Sequence, residues 1–457
     1  MPPAIATAVF IAGIVGLFSM IRDREARPSL SLWIPTIWMG IACSRSVSDW
    51  LSLNTGTITP DAVLEGSPVD RAVFVCLLAA GLGVLCARPK VVGILRANGP
   101  LLFLYFYCLI SIIWSDFPAT ALKRWPKALG DVVMVLIVIT DRRPLIAFRR
   151  LLERLSFVLI PLSILFIKYF PQLGMAWNPW TGGGEYNGVT INKNTLGAVC
   201  MVLGLGILWI VLGVWKEEKG AARTRQLIAY GAVLAMVVYL FMKMNSMTSL
   251  SCLVMAIILL SVASLRRTRR KPAILHLLLV SMALTSVGIL FLGLSPGALK
   301  AIGRNPTLTD RTIIWGQMLS LVQHPIFGTG FETYWLGPRL DAMWRLNPVL
   351  RPNEAHNGYL EVYLNLGWVG IGLLAFILVT GYRGVFKAWR NGDPRGPLLI
   401  AYFFAALVYN CTEAAFVKMQ AVVWLFFLFT LVRAPGIFTR RSKAVSPETV
   451  ARSPVAA

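Results

Sequence analysis

The sequence predicts an all-α polytopic membrane protein with about twelve to thirteen transmembrane helices and one long external loop. Three observations predict it. Of 457 residues, 56% are hydrophobic and 14% charged, with a mean hydropathy of +0.67, whereas soluble domains carry roughly 25% charged residues. The apolar residues fall in runs close to the ~20 residues that cross a bilayer as a helix. Basic residues collect in the short connections between those runs. Backbone polar groups in lipid must be satisfied inside their own element, and the alternating segments of a β-barrel are absent, so helices remain.

The runs lie at about 3–21, 30–44, 70–87, 100–115, 127–140, 155–170, 195–215, 227–242, 247–264, 273–294, 358–380, 397–413 and 416–432. The fifth, sixth and eighth are short or interrupted. Charge orients the set. With the connection after the first run in the cytoplasm, alternation puts the stretches 22–27, 88–96, 142–154, 216–225, 266–271, 383–395 and 433–452 on one side, where they hold 29 of the 44 Lys and Arg. That satisfies the positive-inside rule. The N-terminus is then external; Pro2 to Met20 has no basic leader and reads as the first span. Three substantial external segments follow: 45–69, a connector; 171–194, flexible and aromatic; and 295–357. The last is far longer than a helix connection needs, and Trp315, Phe327, Phe331, Tyr334, Trp335 and Trp344 argue against disorder there. The chain divides into N-terminal transmembrane helices (1–174), a second membrane region containing the long loop (175–432) and a cytoplasmic tail (433–457) whose Pro-, Ser- and Ala-rich end is expected to be disordered.

The net charge of +23 does not imply nucleic acid, because no aromatic–basic stripe or binding motif accompanies it. All seven cysteines lie in or beside apolar runs without C-x-x-C spacing, so neither a disulfide framework nor a zinc site is indicated. No cofactor or metal cluster is expected. One basic stretch breaches the external side: Ala121-Leu122-Lys123-Arg124-Trp125-Pro126-Lys127. It is either an interfacial segment meeting lipid phosphates or a sign that the fifth run is misplaced.

Chemistry has few candidates. His276 begins a span beside a basic cluster and reads as an interface residue. His324, in His-Pro-Ile-Phe-Gly-Thr-Gly, reads as part of a turn. His356 stands where the long loop re-enters the membrane, with Glu354 two residues before it and Asn357 directly after. A neutral imidazole there can accept a proton from a hydroxyl, although a histidine at a helix start is more often a cap or an interface residue.

Larger patterns surround it. His356-Asn357 is followed after nine residues by Gly367-Trp368-Val369-Gly370. Asp310-Arg311-Thr312-Ile313-Ile314-Trp315 precedes His324-Pro325-Ile326-Phe327-Gly328-Thr329-Gly330. Asn192-Lys193-Asn194-Thr195-Leu196-Gly197 lies at the outer end of a helix. Together these resemble the bacterial O-antigen ligase and Wzy-type polysaccharide polymerase superfamily, over about residues 175–432, and their wording looks most like its exopolysaccharide polymerase branch.

The resemblance implies a membrane-embedded, GT-C-like glycosyltransferase that needs no metal or cofactor. Such an enzyme takes glycan from undecaprenyl diphosphate and passes it to an acceptor hydroxyl at the periplasmic face of the inner membrane. It implies Arg311 for the diphosphate, since a guanidinium presents a planar donor fork, and His356 as general base, oriented by Glu354 or Asn357. Lys193 and Asn194 belong to the implied substrate-binding set. One departure stands out: where family members carry a second cation in "S-[RK]-[TG]", this chain has Ser246-Met247-Thr248, leaving Lys243 or Lys193 to substitute. Lipid-linked donor, glycan acceptor and membrane lipid are the expected partners, with a chain-length regulator and a flippase as further candidates. Polymerase and ligase to lipid A-core both fit the patterns. A flippase or other transporter would instead need ionisable residues in mid-membrane, and only Asp131 approaches that.

Overall fold

The computed structural model describes residues 1–21, 28–52, 66–178, 183–291, 309–348 and 351–435, with side chains left out at 286–291, 309–310 and 312. Helices form over all thirteen apolar runs. In order they are α1 (Pro3–Met20), α2 (Trp33–Ala42), α3 (Pro68–Cys86), α4 (Lys90–Ala97), α5 (Gly99–Ile110), α6 (Pro118–Ile139), α7 (Pro144–Tyr169), α8 (Lys193–Glu217), α9 (Gly220–Met244), α10 (Met247–Ala263), α11 (Ala273–Phe291), α12 (Thr309–Ser320), α13 (Gly337–Leu346), α14 (Gly358–Arg390), α15 (Gly396–Tyr409) and α16 (Val422–Leu431). Helices α4, α12 and α13 lie between the runs. Local sequence sets many starts: Pro occupies the first turn of α1, α3, α5, α6, α7, α13 and α15, where its missing N–H costs nothing.

Five helices (α1, α3, α8, α9 and α14) are long and apolar enough to cross a membrane, and α4 with α5, bent by 80°, makes a sixth candidate. The apolar helices α2, α10, α15 and α16 are shorter, and α6 and α7 carry charges along their length. The protein is therefore a multi-pass, all-α membrane protein. Its centre is apolar all round, as buried helices are: every residue of α16 is buried, as are nearly all of α15 and most of α8. Helix α1 sits at the periphery with one buried residue, Ala6.

Three expectations shift. The fifth helix begins at Pro118 instead of 127, so the basic stretch 121–127 is the start of α6. Its side chains are held by protein: Arg124 donates to the Glu332 carbonyl, Trp125 Nε1 to the Tyr105 carbonyl (2.9 Å), and the Lys127 ammonium lies 4.4 Å from the Phe74 ring centre. The last helix begins at Val422 instead of 416, because 410–421 forms an irregular loop with positive φ at Val417 and Gln420. Segment 171–194, expected to be flexible, contains an antiparallel hairpin, β1 (Met175–Asn178) on β2 (Gly183–Tyr186), with Met175 opposite Tyr186. The tail expected to be disordered lies beyond Pro435, outside the described residues, as does the first part of the long loop.

From 309 onward the long loop is folded. Met318, Tyr334, Trp335, Leu340 and Met343 form a small core of their own with Ala355 and Leu364. The aromatic residues are also its hydrogen-bonding struts. Trp315 Nε1 donates to the Ala355 carbonyl (2.8 Å), Trp344 Nε1 to that of Pro352 (3.1 Å) and Trp335 Nε1 to the Glu361 carboxylate (2.7 Å), which also accepts from Ala355 N (2.9 Å). The segment carrying His356 is thus fixed from both sides.

The glycine patterns are two halves of one joint. Gly367 interrupts α14 with φ 65°, ψ −164°, and the carbonyls freed there accept from the loop: Thr329 N on Leu364 O (3.2 Å) and Gly330 N on Asn365 O (2.9 Å). In return, Trp368 N and Val369 N donate to Pro325 O and Ile326 O (3.0 and 3.1 Å). A Cβ on Gly367 would lie 2.3 Å from Ile326 O, and one on Gly328 would lie 2.5 Å from the Asn365 backbone. Backbone cannot move aside as a side chain can, and the positive φ adds about 1–3 kcal/mol of strain for any other residue. Gly367→Ala is expected to lower the thermal midpoint of the detergent-purified protein by several degrees, with loss of yield. An unchanged midpoint would show that the joint is not closed.

Candidate functional site

Three segments meet at the loop end of the bundle: the start of α14, the start of α8 and the 410–421 loop between α15 and α16. Asn410 pins the last of these. Its carbonyl accepts from Gly358 N (2.8 Å), its amide oxygen accepts from Ala415 N and Phe416 N (both 2.8 Å), and its amide nitrogen donates back to Ala406 O (2.8 Å). Gly358 is needed for this approach, since a Cβ there would fall 1.9 Å from Asn410 Oδ1. Farther along, Gln420 N donates to Asp131 (3.0 Å) and Met419 N to Glu332 (3.3 Å).

His356 projects into this junction from a left-handed backbone position, φ 46°. Its Nδ1 lies 3.1 Å from Glu354 Oε1 and 3.3 Å from Glu413 Oε2. Glu354 is ion-paired to Lys418, and Glu413, 5% exposed, accepts from Asn194 Nδ2 (2.9 Å). Arg311 donates from Nη1 to the Thr412 carbonyl (2.9 Å), beside Glu413. The Thr412 hydroxyl in turn reaches Thr248 Oγ1 on α10 (3.4 Å).

Burial alone would lower the proton affinity of His356, but hydrogen bonds and charge from Glu354 and Glu413 outweigh it and push the pKa up to about 9. Glu354 is driven the opposite way: burial would raise it, yet Lys418 and the imidazolium hold it well below the usual carboxylate range. Lys418 is raised, burial being outweighed by Glu354 and Glu361. The resting cluster therefore favours a protonated His356 beside an ionised Glu354 at neutral pH.

The sequence-predicted residues divide accordingly. His356, Glu354 and Asn194 come together, and Arg311 reaches the same segment. Asn357 does not orient His356: its side-chain oxygen caps α14 by accepting from Tyr359 N and Leu360 N (both 3.0 Å), the use a polar residue at that position normally has. Lys193 pairs with Glu185 of β2, and the exposed Lys243 lies 6.0 Å from the Tyr239 ring centre. Among the described residues neither lysine contacts the His356 cluster. Met247 opens α10 next to Thr248, so the place of the missing cation does border the site. His276 is a packing residue, its Nδ1 2.7 Å from the Tyr382 hydroxyl, and His324 receives Gly328 N on its carbonyl (2.8 Å) in the expected turn.

Glu413 and Lys418 were not found from sequence. The available signal was two opposite charges, five residues apart, in the otherwise apolar stretch 397–432. Donor atoms of Glu354, His356 and Glu413 lie within 4.8 Å of one another, close enough to hold a metal ion. One of the three, Glu354, is already ion-paired to Lys418.

Comparison with known proteins agrees with this architecture. Residues 231–377, which include Arg311, His356 and the Gly367 joint, match the family model described as O-antigen ligase (Wzy_C). The chain is also 26% identical over 317 residues to the exopolysaccharide production protein ExoQ of Rhizobium meliloti (strain 1021), an alignment covering 67% of this chain and 69% of the relative. The protein is thus a multi-pass membrane protein similar, over residues 231–377, to the O-antigen ligases. More narrowly, the longer alignment makes it similar to an exopolysaccharide production protein.

Lys418→Met removes the counter-charge of Glu354 while keeping chain length. A partly buried pair of this kind is worth about 1–3 kcal/mol, so a fall in thermal stability of that order is expected, together with loss of glycan product. Wild-type stability and product would mean that the pair does not organise the cluster.

Proposed function

We propose that this protein polymerises undecaprenyl-diphosphate-linked oligosaccharide repeat units on the periplasmic face of the inner membrane, in exopolysaccharide biosynthesis. The observation that carries the proposal is the His356 imidazole held between Glu354 and Glu413, on the segment that also receives Arg311. In the proposed reaction the acceptor hydroxyl oxygen attacks the anomeric carbon and its proton passes to Nε2 of His356. The bond from that carbon to the diphosphate oxygen breaks, and the departing diphosphate keeps the electron pair. Arg311 offers its guanidinium fork to the charge that develops. The two carboxylates stabilise the imidazolium formed, making His356 a strong base once it has lost its resting proton.

The relative's role in exopolysaccharide production favours polymerisation. Transfer to lipid A-core is the second reading, favoured by the description of the matching family. A transporter is disfavoured because Asp131 is fully buried and bonded to Trp38 Nε1 (2.7 Å) and Gln420 N (3.0 Å), within the packed helices. Metal independence is part of the proposal, and its support is the ion pair from Lys418 to Glu354. A flippase delivering the donor and a chain-length regulator are the proposed partners.

The test is glycan transfer by purified protein in liposomes supplied with the lipid-linked repeat unit. His356→Ala and Arg311→Ala are each expected to cost on the order of 100-fold or more, with protein still in the membrane, and a chelator is expected to change nothing. Lipid translocation without transfer would contradict the enzyme reading, and activity restored by adding back a divalent ion would contradict metal independence. Single repeat units accumulating in a null strain mark a polymerase; intact polymer left on the carrier lipid marks a ligase.

A further inference from the structure

The end of the bundle opposite His356 contains a second chemical environment. Gly358 and Arg383 are 25 residues apart on α14, about 38 Å at helical rise, and α15 returns from that far end to Asn410. There a cavity of about 730 Å³ opens among the C-terminal turns of α14, the start of α15 and the end of α16. Its lining combines cations, Arg383, Lys387 and Arg433, with apolar side chains, Leu399, Phe429 and Val432 among them.

The charge is uncompensated. The acidic residue in the lining, Asp393, is committed to Arg395, accepting from its backbone N (2.8 Å), Nε (3.2 Å) and Nη2 (2.8 Å), with both side chains buried. Among the described residues Arg383, Lys387 and Arg433 form no ion pair. Arg433 is nevertheless held in place: Nη2 donates to Thr380 O (2.6 Å), its backbone N to Asn98 Oδ1 (2.8 Å), and its Nε would lie 3.2 Å from a Cβ on Gly384. Asn98 is the bend at which α4 turns by 80° into α5. Helix α4 carries Lys90 and Arg96 together with Val91, Ile94 and Leu95, the composition of a helix at a membrane surface.

We propose that this cavity binds the phosphate of an anionic phospholipid headgroup, with the apolar side taking the start of the acyl chains. Three cations and several apolar side chains lining one cavity match that ligand. A free phosphate ion would leave the apolar lining and most of the volume unused. The protein's own tail is a poor occupant, since Arg440, Arg441, Lys443 and Arg452 face a single Glu448 in it. The site is separate from the glycan chemistry, being on the other side of the bundle.

The experiment is a thermal-stability titration of the full-length protein, delipidated in zwitterionic detergent. Phosphatidylglycerol, phosphatidylcholine, inorganic phosphate and polyglutamate are added in separate arms. Phosphatidylglycerol is expected to raise the midpoint saturably, the other three to have no effect. At about a factor of five per basic residue near a membrane surface, Arg383→Gln with Lys387→Gln is expected to move the titration about 30-fold to higher lipid. The charge-keeping pair Arg383→Lys with Lys387→Arg is expected to respond as wild type. Equal responses to the two lipids, or an unshifted double Gln variant, would overturn the proposal. So would the same rise with inorganic phosphate, which would mark a soluble anion, or with polyglutamate, which would mark an acidic protein partner. Loss of the response in the charge-keeping pair would overturn it as well, since the proposal rests on charge.

Discussion

Nδ1 of His356 faces two carboxylates at once, Glu354 at 3.1 Å and Glu413 at 3.3 Å, and much of the loop end of the bundle exists to keep those three groups in place. A carboxylate taken out of water must be paired or hydrogen-bonded. Lys418 does this for Glu354 and the Asn194 amide does it for Glu413. Both of those partners are set by backbone geometry elsewhere: Asn194 by the cap that Asn192 places on α8 (Thr195 N to Oδ1, 2.8 Å), and Lys418 by a loop with positive φ at Val417 and Gln420 that Asn410, Glu332 and Asp131 hold down. The cluster is therefore a junction of distant pieces of chain. Three stretches, from 57 to 219 residues apart in sequence, are made to converge on one imidazole.

The long loop is the second half of that construction. Its tryptophans donate to the carbonyls and the carboxylate that bracket His356, and its Gly328–Gly330 turn fills the gap in α14 at Gly367. Freed carbonyls inside a membrane helix are costly unless another segment satisfies them, and here the loop's amides do so. That explains why the glycine spacing and the histidine occur together: the break in α14 needs the loop, and the loop carries the strut residues that fix His356.

The helices were legible because hydrophobic runs and basic connections are coarse, additive signals. Each of the thirteen runs became a helix, and the one stretch of basic residues that fitted neither side was the start of α6. What the sequence concealed depends on pairing. Glu413 and Lys418 lie in a run that hydropathy assigns to the membrane, and their meaning appears only when each finds its partner across the fold. Asn357 shows the reverse error, a polar neighbour of a candidate histidine whose side chain caps a helix. The lysines considered as substitutes for a cation at Met247 sit on the same rim of the bundle, yet sequence could not reveal that Glu185 and Tyr239 already engage them.

The account turns on a histidine whose high proton affinity comes from its two acidic neighbours, and on its use as a base. The pH dependence of kcat/KM, which reports the free enzyme, tests both. Below a pKa of about 9 the imidazole is protonated, so the base form grows as pH rises. The wild-type value should climb by about tenfold per pH unit toward that point and then level off. Glu413→Gln removes one of the charges that raise the pKa, and its plateau should begin at lower pH. A wild-type rate that is flat or falls over the same range would contradict the account, making the imidazolium the working form.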